Sequence, residues 1–404
     1  KSRCALRRRV VHSVGASSLM STYPSITIDI SPLLVRNTGI SYYTANLVSQ
    51  LIGLKPEFRW RFFAVPERVA TEVNVKNPAG DFKTIIDPWF LPPRITALLL
   101  QAPLSCLLTV EKFVGTSDLF HWTNFLTCSQ KRGKKVLTVH DVSFFLFPEY
   151  HPLKRRLTFK ALFPRSLEQA DQIITDSDST KRDLVAHFHV PAQKITTVHL
   201  GVDPTFAPVS AAQAEPVMTK HGVRLGGYLL YIGTVEPRKN LPRLIQAYNV
   251  FRANASSSLP LVLVGASGWL NQDLFREIDK SPWKGDIKLL GYVAKTDLPA
   301  LYSGAAAFVY PSIYEGFGLP PLEAMACGAP VITTNNSSLP EVVGDAALIV
   351  DAHNVDAIAN AMLQVASDPS ARENLRQRGL ARAKFFTWRR TAEQTLAVYE
   401  KALG

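Results

Sequence analysis

Short apolar runs alternate with amphipathic stretches along the chain from Ser25 onward. Runs rich in β-branched and aromatic residues predict strands, and apolar residues spaced three and four apart predict helices. In the first half we predict strands at Ile26–Ile30, Trp60–Val65, Phe82–Ile86, Leu119–Trp122, Val136–His140, Gln172–Thr175 and Ile195–Leu200. The predicted helices between them are Ser41–Ile52, Leu153–Gln169 and Thr180–Phe188. This order favours a mostly parallel sheet with helices on both faces.

The alternation stops and then restarts around residues 201–227. This segment contains Pro204, Pro208 and Pro216 among several small residues, and such residues interrupt helices and strands. Beyond it we predict strands at Tyr228–Ile232, Leu261–Val264, Ile287–Leu290, Ala306–Tyr310, Val331–Thr333 and Ala347–Val350, with helices beginning at Leu241 and Leu298. We therefore predict a linker at residues 206–227 between two folded units.

The predicted fold class is α/β, with two Rossmann-like doubly wound domains that face each other across a cleft. The first spans residues 21–205 and the second residues 228–387, and the last helix, residues 388–404, is a candidate to pack back on the first domain. Ligands of such sheets bind outside the carboxyl ends of the strands, which predicts substrate in the cleft. Residues 1–20 lack the apolar core of a secretory signal, so we expect a disordered extension, with a transit peptide as the alternative.

The composition narrows the class of protein. With 404 residues, 47% of them hydrophobic, the chain is long enough for two ordinary domains. The four cysteines are scattered without metal-ligand spacing, which favours reduced thiols in a cytosol. The longest apolar stretch, Ile95–Val110, is interrupted by Gln101, Pro103 and Ser105, so it predicts a buried or surface-lying helix rather than a membrane span. Neither GxGxxG nor a P-loop motif occurs, so dinucleotide dehydrogenases and P-loop nucleotidases lose support.

Two segments of the second domain carry anion-binding groups just past predicted strand ends. Arg238 and Lys239 follow the strand that ends at Gly233. An Arg fork beside a compact Lys suits a diphosphate, although an isolated pair is more often a solvated helix entrance. The loop Glu315–Leu319 precedes a helix with two prolines in its first turn, and helix N-termini bind anions through free N–H groups. Together these segments predict a phosphate pocket.

Two glutamates lie beside this pocket, one at each end of the loop and first helical turn. Glu315 and Glu323 would repel a diphosphate unless they face other groups. Carboxylates accept hydrogen bonds from vicinal hydroxyls, so one glutamate could hold a ribose and the other a hexose. The alternative for Glu323 is that an acid early in a helix complements the helix dipole.

The run EGFGLPPLE, residues 315–323, resembles the E-x7-E motif of retaining GT-B glycosyltransferases of the nucleotide-sugar-dependent "family four" group. The resemblance extends over nearly the whole chain from Asp29. Further matching motifs are RNTGISYYTANL, TVHDVSFFLFPEYH, TDSDSTKRDL, Gly201-Val202-Asp203, the EPRKN block and SSLPEVVGDAALIVD. The motif style is similar to bacterial mannosyl- and rhamnosyltransferases of surface-polysaccharide assembly.

The resemblance implies that the second domain binds the donor and the first domain binds the acceptor. Glu315 would contact the transferred sugar and Glu323 the nucleotide ribose. Lys239 and Arg238 would hold the diphosphate. The implied donor-site residues also include Gly39, Thr234, Gly316, Phe317, Gly318 and Leu319. Gly39 would let its loop approach the phosphates closely because it has no side chain.

At one of these positions the sequence departs from the family pattern, and His140 has a structural alternative. Many relatives carry Arg directly after the glycine that ends the strand before Lys239, whereas here Gly233 is followed by Thr234, and Arg238 is the candidate to replace that Arg. His140 is implied to lie near the donor sugar, at a strand end of the opposite domain, and is a catalytic candidate. A lone His after a strand is otherwise more often structural.

The segment 176–178 reads DSD, a form that coordinates a metal–diphosphate in other glycosyltransferases. Here it opens a predicted helix, where Asp and Ser are ordinary N-caps, and Thr180 and Asp183 have capping-box spacing. We therefore predict no metal ligand and no cofactor besides the donor substrate. The charge of the leaving group would then be met by the basic residues and the helix amides.

The net charge of +12 is concentrated in residues 1–205, with 26 Lys and Arg against 16 Asp and Glu there and 19 against 17 in the remainder. The basic groups 131-KRGKK-135 and 154-KRR-156, with Lys160 and Arg165, indicate either solvated faces or attraction to anionic lipid headgroups. Nucleic-acid binding has less support, because no recognised motif or aromatic stacking pattern accompanies the charge.

The sequence therefore predicts a retaining, metal-independent hexosyltransferase. It would move a mannose- or rhamnose-type sugar from a nucleoside diphosphate sugar, GDP-linked by preference, to a saccharide or lipid-linked acceptor in surface polysaccharide or lipopolysaccharide biosynthesis. Retention follows from the resemblance alone. We expect a cytoplasmic protein, with peripheral contact to the cytoplasmic face of the inner membrane as an extension. The alternative function is a catalytically inactive nucleotide-sugar-binding protein.

Overall fold

The computed structural model describes residues 23–34, 38–64, 81–84, 109–256, 258–266, 268 and 272–404. The predictions for residues 1–20 and for most of Ile95–Val110 lie outside these residues. The described strands are β1 Ser25–Asp29, β2 Arg59–Ala64, β3 Asp81–Thr84, β4 Leu119–Trp122, β5 Lys134–Val139, β6 Gln172–Thr175, β7 Ile195–Thr197, β8 Leu229–Ile232, β9 Leu261–Val264, β10 Ile287–Gly291, β11 Ala307–Tyr310, β12 Val331–Thr334 and β13 Ala347–Val350.

The described helices follow the predicted alternation with these strands. They are α1 Gly39–Leu54, α2 Glu111–Val114, α3 Ser143–Leu146, α4 Leu153–Gln169, α5 Asp178–Phe188, α6 Ala211–Lys220, α7 Leu241–Asn254, α8 Gln272–Lys280, α9 Leu298–Ser303, α10 Leu319–Ala326, α11 Leu339–Val343, α12 Val355–Ser367, α13 Pro369–Ala383 and α14 Trp388–Leu403. None of the helices in the described ranges is both long and apolar enough to cross a membrane.

The strands form two parallel sheets. The first has the order β3-β2-β1-β4-β5-β6-β7 and the second β10-β9-β8-β11-β12-β13. Strands such as β8 and β11 are buried along their whole length, as expected when helices cover both faces of a parallel sheet. The predicted α/β class with two doubly wound sheets is confirmed.

The segment predicted as a linker contains a helix. Residues 206–227 include α6, which begins with a capping box and buries Ala214 and Met218. Pro216 lies inside this helix, where proline costs about 3 kcal/mol; the cap and the burial of two side chains offset that cost. The predicted linker therefore includes a helix at Ala211–Lys220, because tertiary packing outweighs the local preference of proline.

Helix α14 returns from the second domain to the first. It packs against α1, β5 and β6. The Tyr399 hydroxyl lies 2.6 Å from His121 Nδ1, and the Trp388 ring packs against Tyr43 with ring centres 6.4 Å apart. Burial lowers the pKa of His121 to about 3, so this histidine is neutral and structural. The chain therefore crosses between the two domains twice.

Candidate active site

The loop from Glu315 to Leu319 is held rigidly at the start of α10. Its backbone is fixed by two serines after β12: Glu315 N donates to Ser337 Oγ at 2.8 Å, and Ser338 Oγ donates to the carbonyls of Glu315 and Phe317. Gly318 caps α10 with φ 112° and without a side-chain cap. No acceptor within the described part of the protein bonds the N–H groups of residues 316–319, so these groups remain free to bind an anion.

Glu315 lies at the centre of a buried ionic cluster. Its Oε1 accepts from Lys239 Nζ at 2.6 Å and its Oε2 from Arg238 Nη1 at 2.7 Å. The hydroxyls of Ser312 and Tyr310 donate to the same Oε1. Burial opposes ionisation of Glu315, but the two cations outweigh it and lower its pKa to about 2. The carboxylate is therefore ionised and fixed in one orientation.

A second acid, Glu236, completes this cluster. Arg238 Nη2 donates to Glu236 Oε1 at 2.7 Å, and Lys239 Nζ lies 3.8 Å from the same oxygen. Two cations thus face two carboxylates, and Arg238 is fully engaged by Glu236, Glu315 and the Tyr314 carbonyl. The assignment of Arg238 to the diphosphate stays a prediction. Sequence reasoning missed Glu236, although it stands in the same EPRKN block.

Asn240 fixes the turn that directs Lys239 towards the Glu315–Leu319 loop. The short 3₁₀ turn Pro237–Lys239 ends at Asn240, whose φ of 61° is left-handed, a conformation that Asn tolerates. Its side-chain amide donates to Pro311 O at 3.0 Å and to Ala352 O at 2.7 Å. These bonds hold the turn after β8 against the loop after β11. Thr234, in the same turn region, is exposed.

His140 is buried with both ring nitrogens bound. Nδ1 lies 2.7 Å from Asp176 Oδ2, and Nε2 lies 2.9 Å from the Thr123 carbonyl. Burial disfavours the charged ring, yet Asp176 outweighs it and raises the pKa of His140. Both ring nitrogens are therefore engaged within the first domain, and the catalytic role of His140 stays a prediction. The sheet register could have revealed Asp176, since Val139 pairs with Thr175 and the next residues must be neighbours.

The DSD segment opens α5 as a cap. Ser177 Oγ accepts from Thr180 N at 3.1 Å and is the N-cap residue. The predicted capping box between Thr180 and Asp183 is wrong, because Asp183 instead accepts from the Tyr314 hydroxyl of the second domain at 2.6 Å. No group of three or more potential metal-ligating side chains occurs in the described portion of the chain.

Gly316 touches the backbone of the opposite domain. A Cβ at this position would lie 2.1 Å from the His140 carbonyl oxygen, far inside contact distance. Only glycine therefore allows the loop to lie against the end of β5. This contact places the backbone of His140, in the first domain, against the second-domain loop that begins at Glu315.

We expect Gly316→Ala to lower transfer activity by about 100-fold, because misplacing a site by 1 Å can cost that much. The added methyl must displace the loop or the His140 backbone, since neither is a flexible side chain. Gly53→Ala is the matched control, as nothing lies within 4 Å of its Cβ position. Steady-state transfer rates and thermal unfolding of both variants provide the measurement. Full activity in Gly316→Ala would show that the domains do not meet in this way.

Glu323 lies one turn further along α10, apart from the ionic cluster. Its Oε2 accepts from the Tyr302 hydroxyl at 3.0 Å. The nearby charge of Lys295 lowers its pKa, and that of Asp203 raises it. Desolvation raises its pKa to about 7. Gly39 begins α1 on the other side of the cleft, and its Cβ position lies 3.9 Å from Leu319 Cδ1. The N-termini of α1 and α10 thus face each other.

Glu341 joins the two domains next to this site. From α11 of the second domain, its carboxylate accepts from Asp178 N at 2.9 Å and from Ser179 N at 3.3 Å, the first amides of α5. His199 Nε2 lies 2.6 Å from the same carboxylate, and the His199 ring packs on Phe317 with centres 6.0 Å apart. Sequence reasoning did not single out Glu341, because its partners are distant in sequence.

Two protein-family profiles match the chain, one in each domain. "Glycosyltransferase Family 4" matches residues 37–206, and "Glycosyl transferases group 1" matches residues 226–382. O-antigen chain mannosyltransferase B of Escherichia coli is 43% identical over 282 residues, which cover 70% of this chain and 74% of that protein.

Solved structures share the arrangement of the two domains. Sucrose-phosphate synthase from Thermosynechococcus elongatus superposes with a TM-score of 0.73 at 20% identity, covering 94% of this chain and 98% of that one. Anabaena HepE in complex with UDP-glucose superposes with a TM-score of 0.69 at 16% identity, covering 94% and 100%. The chain therefore belongs to the family-four glycosyltransferases and has the GT-B fold.

Proposed function

We propose that the protein transfers mannose from GDP-mannose to a saccharide or lipid-linked saccharide in surface polysaccharide or lipopolysaccharide assembly, with retention of the anomeric configuration. The similarity to an O-antigen chain mannosyltransferase supports the sugar and the process. A neighbour of the same fold crystallised with UDP-glucose supports a nucleoside diphosphate sugar as the donor class. The preference for GDP and the retention of configuration rest on the family resemblance.

One observation carries the proposal: Lys239 and the free amides at the start of α10 meet around Glu315. Lys239 Nζ and Glu315 Oε1 are 2.6 Å apart, so a ligand that contacts the loop is also within reach of the cation. A diphosphate would be held by Lys239 and the amides of residues 316–319, while the Glu315 carboxylate accepts from sugar hydroxyls. Thr234 and Gly39 stay predicted donor contacts on either side.

The leaving diphosphate would be stabilised by protein groups rather than by a metal ion. In the DSD segment, Asp176 Oδ2 is bound to His140 while its Oδ1 is buried without a partner among the described residues, and Asp178 accepts from the Thr197 hydroxyl at 2.5 Å. A donor aimed at developing charge contributes about 2.7–4 kcal/mol, whereas a helix N-terminus alone contributes about 2 kcal/mol at most. The proposal therefore depends on Lys239, with Arg238 as the assisting cation.

The test is a transfer assay with the purified protein. GDP-mannose, UDP-glucose, ADP-glucose and TDP-rhamnose would each be supplied with lipid-linked and free saccharide acceptors, with Mg²⁺ and with EDTA. We expect turnover with GDP-mannose that EDTA does not reduce, and the anomeric configuration of the product would be read by NMR. Tight donor binding without turnover would favour the inactive nucleotide-sugar-binding protein, and an inverted product would contradict retention.

Donor binding should weaken as the pH falls below about 7. The ionised Glu323 accepts two hydroxyl bonds from a ribose, and its raised pKa of about 7 means that this form is lost in mild acid. Because binding favours the ionised form, the donor Kd should rise by up to about tenfold per pH unit below pH 7. Calorimetric titration of the donor from pH 5.5 to 8.5 measures this slope. In Glu323→Gln the slope should disappear; an equal slope in both proteins would exclude Glu323 as its source.

Helix α4 provides a surface suited to an anionic membrane beside the cleft. Leu153 and Leu157, one turn apart, are 63% and 58% exposed, and Phe145 of α3 is 47% exposed. The basic residues Lys154 and Lys160 on the same helix are exposed too, and each contributes about 1 kcal/mol near an anionic surface. This arrangement supports peripheral binding to an anionic lipid surface; the cytoplasmic face of the inner membrane is proposed from the family resemblance alone.

Replacing both Leu153 and Leu157 with Ser should reduce co-sedimentation with phosphatidylglycerol vesicles at least about tenfold, since each leucine contributes roughly 1.5–3 kcal/mol when buried. Leu225→Ser, with a side chain 57% exposed just before β8 of the second domain, is the control. Transfer to a soluble saccharide acceptor should be unchanged in all three proteins. Unaltered vesicle binding by the double variant would remove α4 from the interface.

A further inference from the structure

A second basic site lies at the opposite edge of the first sheet from the cleft. A cavity of about 630 Å³ opens at the amino ends of β2, β1, β4 and β5. Four basic residues line it: Arg59, Arg61, Arg132 and Lys134. The six residues of β5 separate this edge from the carboxyl end by roughly 20 Å at about 3.3 Å per residue. The cavity is therefore distinct from the proposed donor site.

The alternation of side chains along β2 places two of these basic residues on the same side of the strand. Arg59 and Arg61 stand two apart on β2 and share one side of it, while Trp60 and Phe62 between and after them are buried. Arg61 is held in place because its guanidinium donates to the Thr116 carbonyl at 2.6 Å. No other hydrogen bond from the Arg61 guanidinium is found among the residues that the structure describes. A guanidinium fixed at one N–H, with no second acceptor found in the described ranges, suits a phosphate oxygen pair.

A tight turn forms the other wall. Gly133 has φ of 78°, and a Cβ on it would lie 2.2 Å from the Ser117 carbonyl oxygen. The turn therefore packs directly on the chain before β4 and carries Arg132 and Lys134 to the rim. Lys134 Nζ is 3.9 Å from Asp171, a distance too long for a strong bond.

Asp118, the one acid among the described lining residues, is already bound within the protein. Asp118 accepts from both the backbone N–H and the hydroxyl of Ser25 at 2.7 Å. Arg59 Nη2 lies 3.9 Å from it, with both side chains about half exposed. An exposed pair at this distance contributes little, so Arg59 can turn to a ligand. Among the described lining side chains, four cations and one hydrogen-bonded carboxylate leave an excess of positive charge in a cavity of ligand size.

The lining also limits the kind of ligand. The described lining residues include hydroxyls of Thr116 and Ser117 but no aromatic ring, so a base that needs stacking has no platform there. We propose that this cavity binds the phosphate group of a phosphorylated polyol. Such a group is found both in free sugar phosphates and in glycerophospholipid headgroups, and both sources present one phosphate beside hydroxyls.

The experiment measures binding of glycerol 3-phosphate by calorimetry and of vesicles containing phosphatidylglycerol or only phosphatidylcholine by co-sedimentation. The test variant is Arg59→Gln with Arg132→Gln, two exposed residues whose loss leaves the core intact. The matched control is Arg276→Gln with Lys280→Gln, which removes two charges from side chains 68% and 72% exposed on α8 of the other domain.

We expect saturable binding by the natural protein that weakens about tenfold or more in the test variant, since charge-assisted bonds are lost, and that is unchanged in the control. Weaker binding of the soluble phosphate alone identifies a free metabolite, and weaker binding of the anionic vesicles identifies a lipid headgroup. Donor affinity and transfer to a soluble acceptor should stay within about twofold, which separates this site from the donor site. If neither probe binds, or if the test variant binds both as the control does, the proposal is wrong and the basic residues only complement the helix carboxyl ends at this edge.

Discussion

Glu315→Gln should lower kcat for sugar transfer by about 10²–10³-fold, the loss typical of removing one group aimed at the transition state. The amide keeps the shape of the side chain but removes the charge that Lys239 and Arg238 hold in place. It also replaces an acceptor by an N–H donor that would face a donor from Lys239 or from Ser312. The sugar hydroxyls would then lose their fixed acceptor.

The same substitution tests the fold, because Glu315 is only 7% exposed. Removing one partner of a buried ion pair costs about 3–5 kcal/mol when the other charge is left unpaired, and here Glu236 remains to pair with Arg238. Thermal unfolding and circular dichroism therefore accompany the rate measurement, with the exposed Glu400→Gln as the control. Unchanged turnover in a folded Glu315→Gln protein would refute the role proposed for this residue.

The pH dependence separates the two glutamates. The depressed pKa of Glu315 means that its ionisation stabilises the fold above its ordinary pKa of 4.5 and that this contribution is lost only as the pH falls towards about 2. Burial raises the pKa of Glu323 to about 7. Its ionisation therefore opposes folding, and the carboxyl is largely ionised only above about pH 7. A change in donor affinity between pH 6 and 8 is therefore expected from Glu323, while the ionic cluster around Glu315 stays charged.

Lys239→Met should weaken donor binding and lower kcat/KM by about 10²–10³-fold, because one well-placed donor to phosphate charge is worth about 2.7–4 kcal/mol. Methionine retains the length and apolar stem of lysine, so packing against the Tyr310 ring, 5.3 Å from Nζ, is largely kept. What is lost is the only cation, among the described groups, that lies within 3 Å of Glu315 Oε1. The leaving diphosphate would then depend on Arg238 and the α10 amides.

Lys280→Met, on an exposed position of α8, is the matched control. Calorimetry with GDP and with GDP-mannose separates diphosphate binding from sugar contacts, and the double variant with Glu315→Gln measures their coupling. Since the two side chains touch, the double variant should lose less than the product of the single losses. Undiminished GDP affinity in Lys239→Met would mean that the diphosphate binds elsewhere.

The strands were well predicted because β-branched and aromatic runs leave little choice in a buried parallel sheet. β4, β6, β9 and β13 match their predicted bounds, and the others differ by a few residues at most. The helix α6 was missed because Pro216 argues against it locally, whereas its N-terminal capping box and the burial of Ala214 and Met218 favour it. The pairing of His140 with Asp176 was missed because it requires the register of two strands.

The sequence by itself determined the two doubly wound sheets, the family and the chemical types of the candidate site, because periodicity and motifs are local properties. Tertiary structure decided which groups neutralise each other. Glu236 and Glu315 both bind Arg238, and Glu341 reaches α5 in the other domain. Whether a carboxylate lies free, paired or capping a helix depends on distances between residues far apart in the chain, and electrostatic and hydrogen-bond energies fall steeply with those distances.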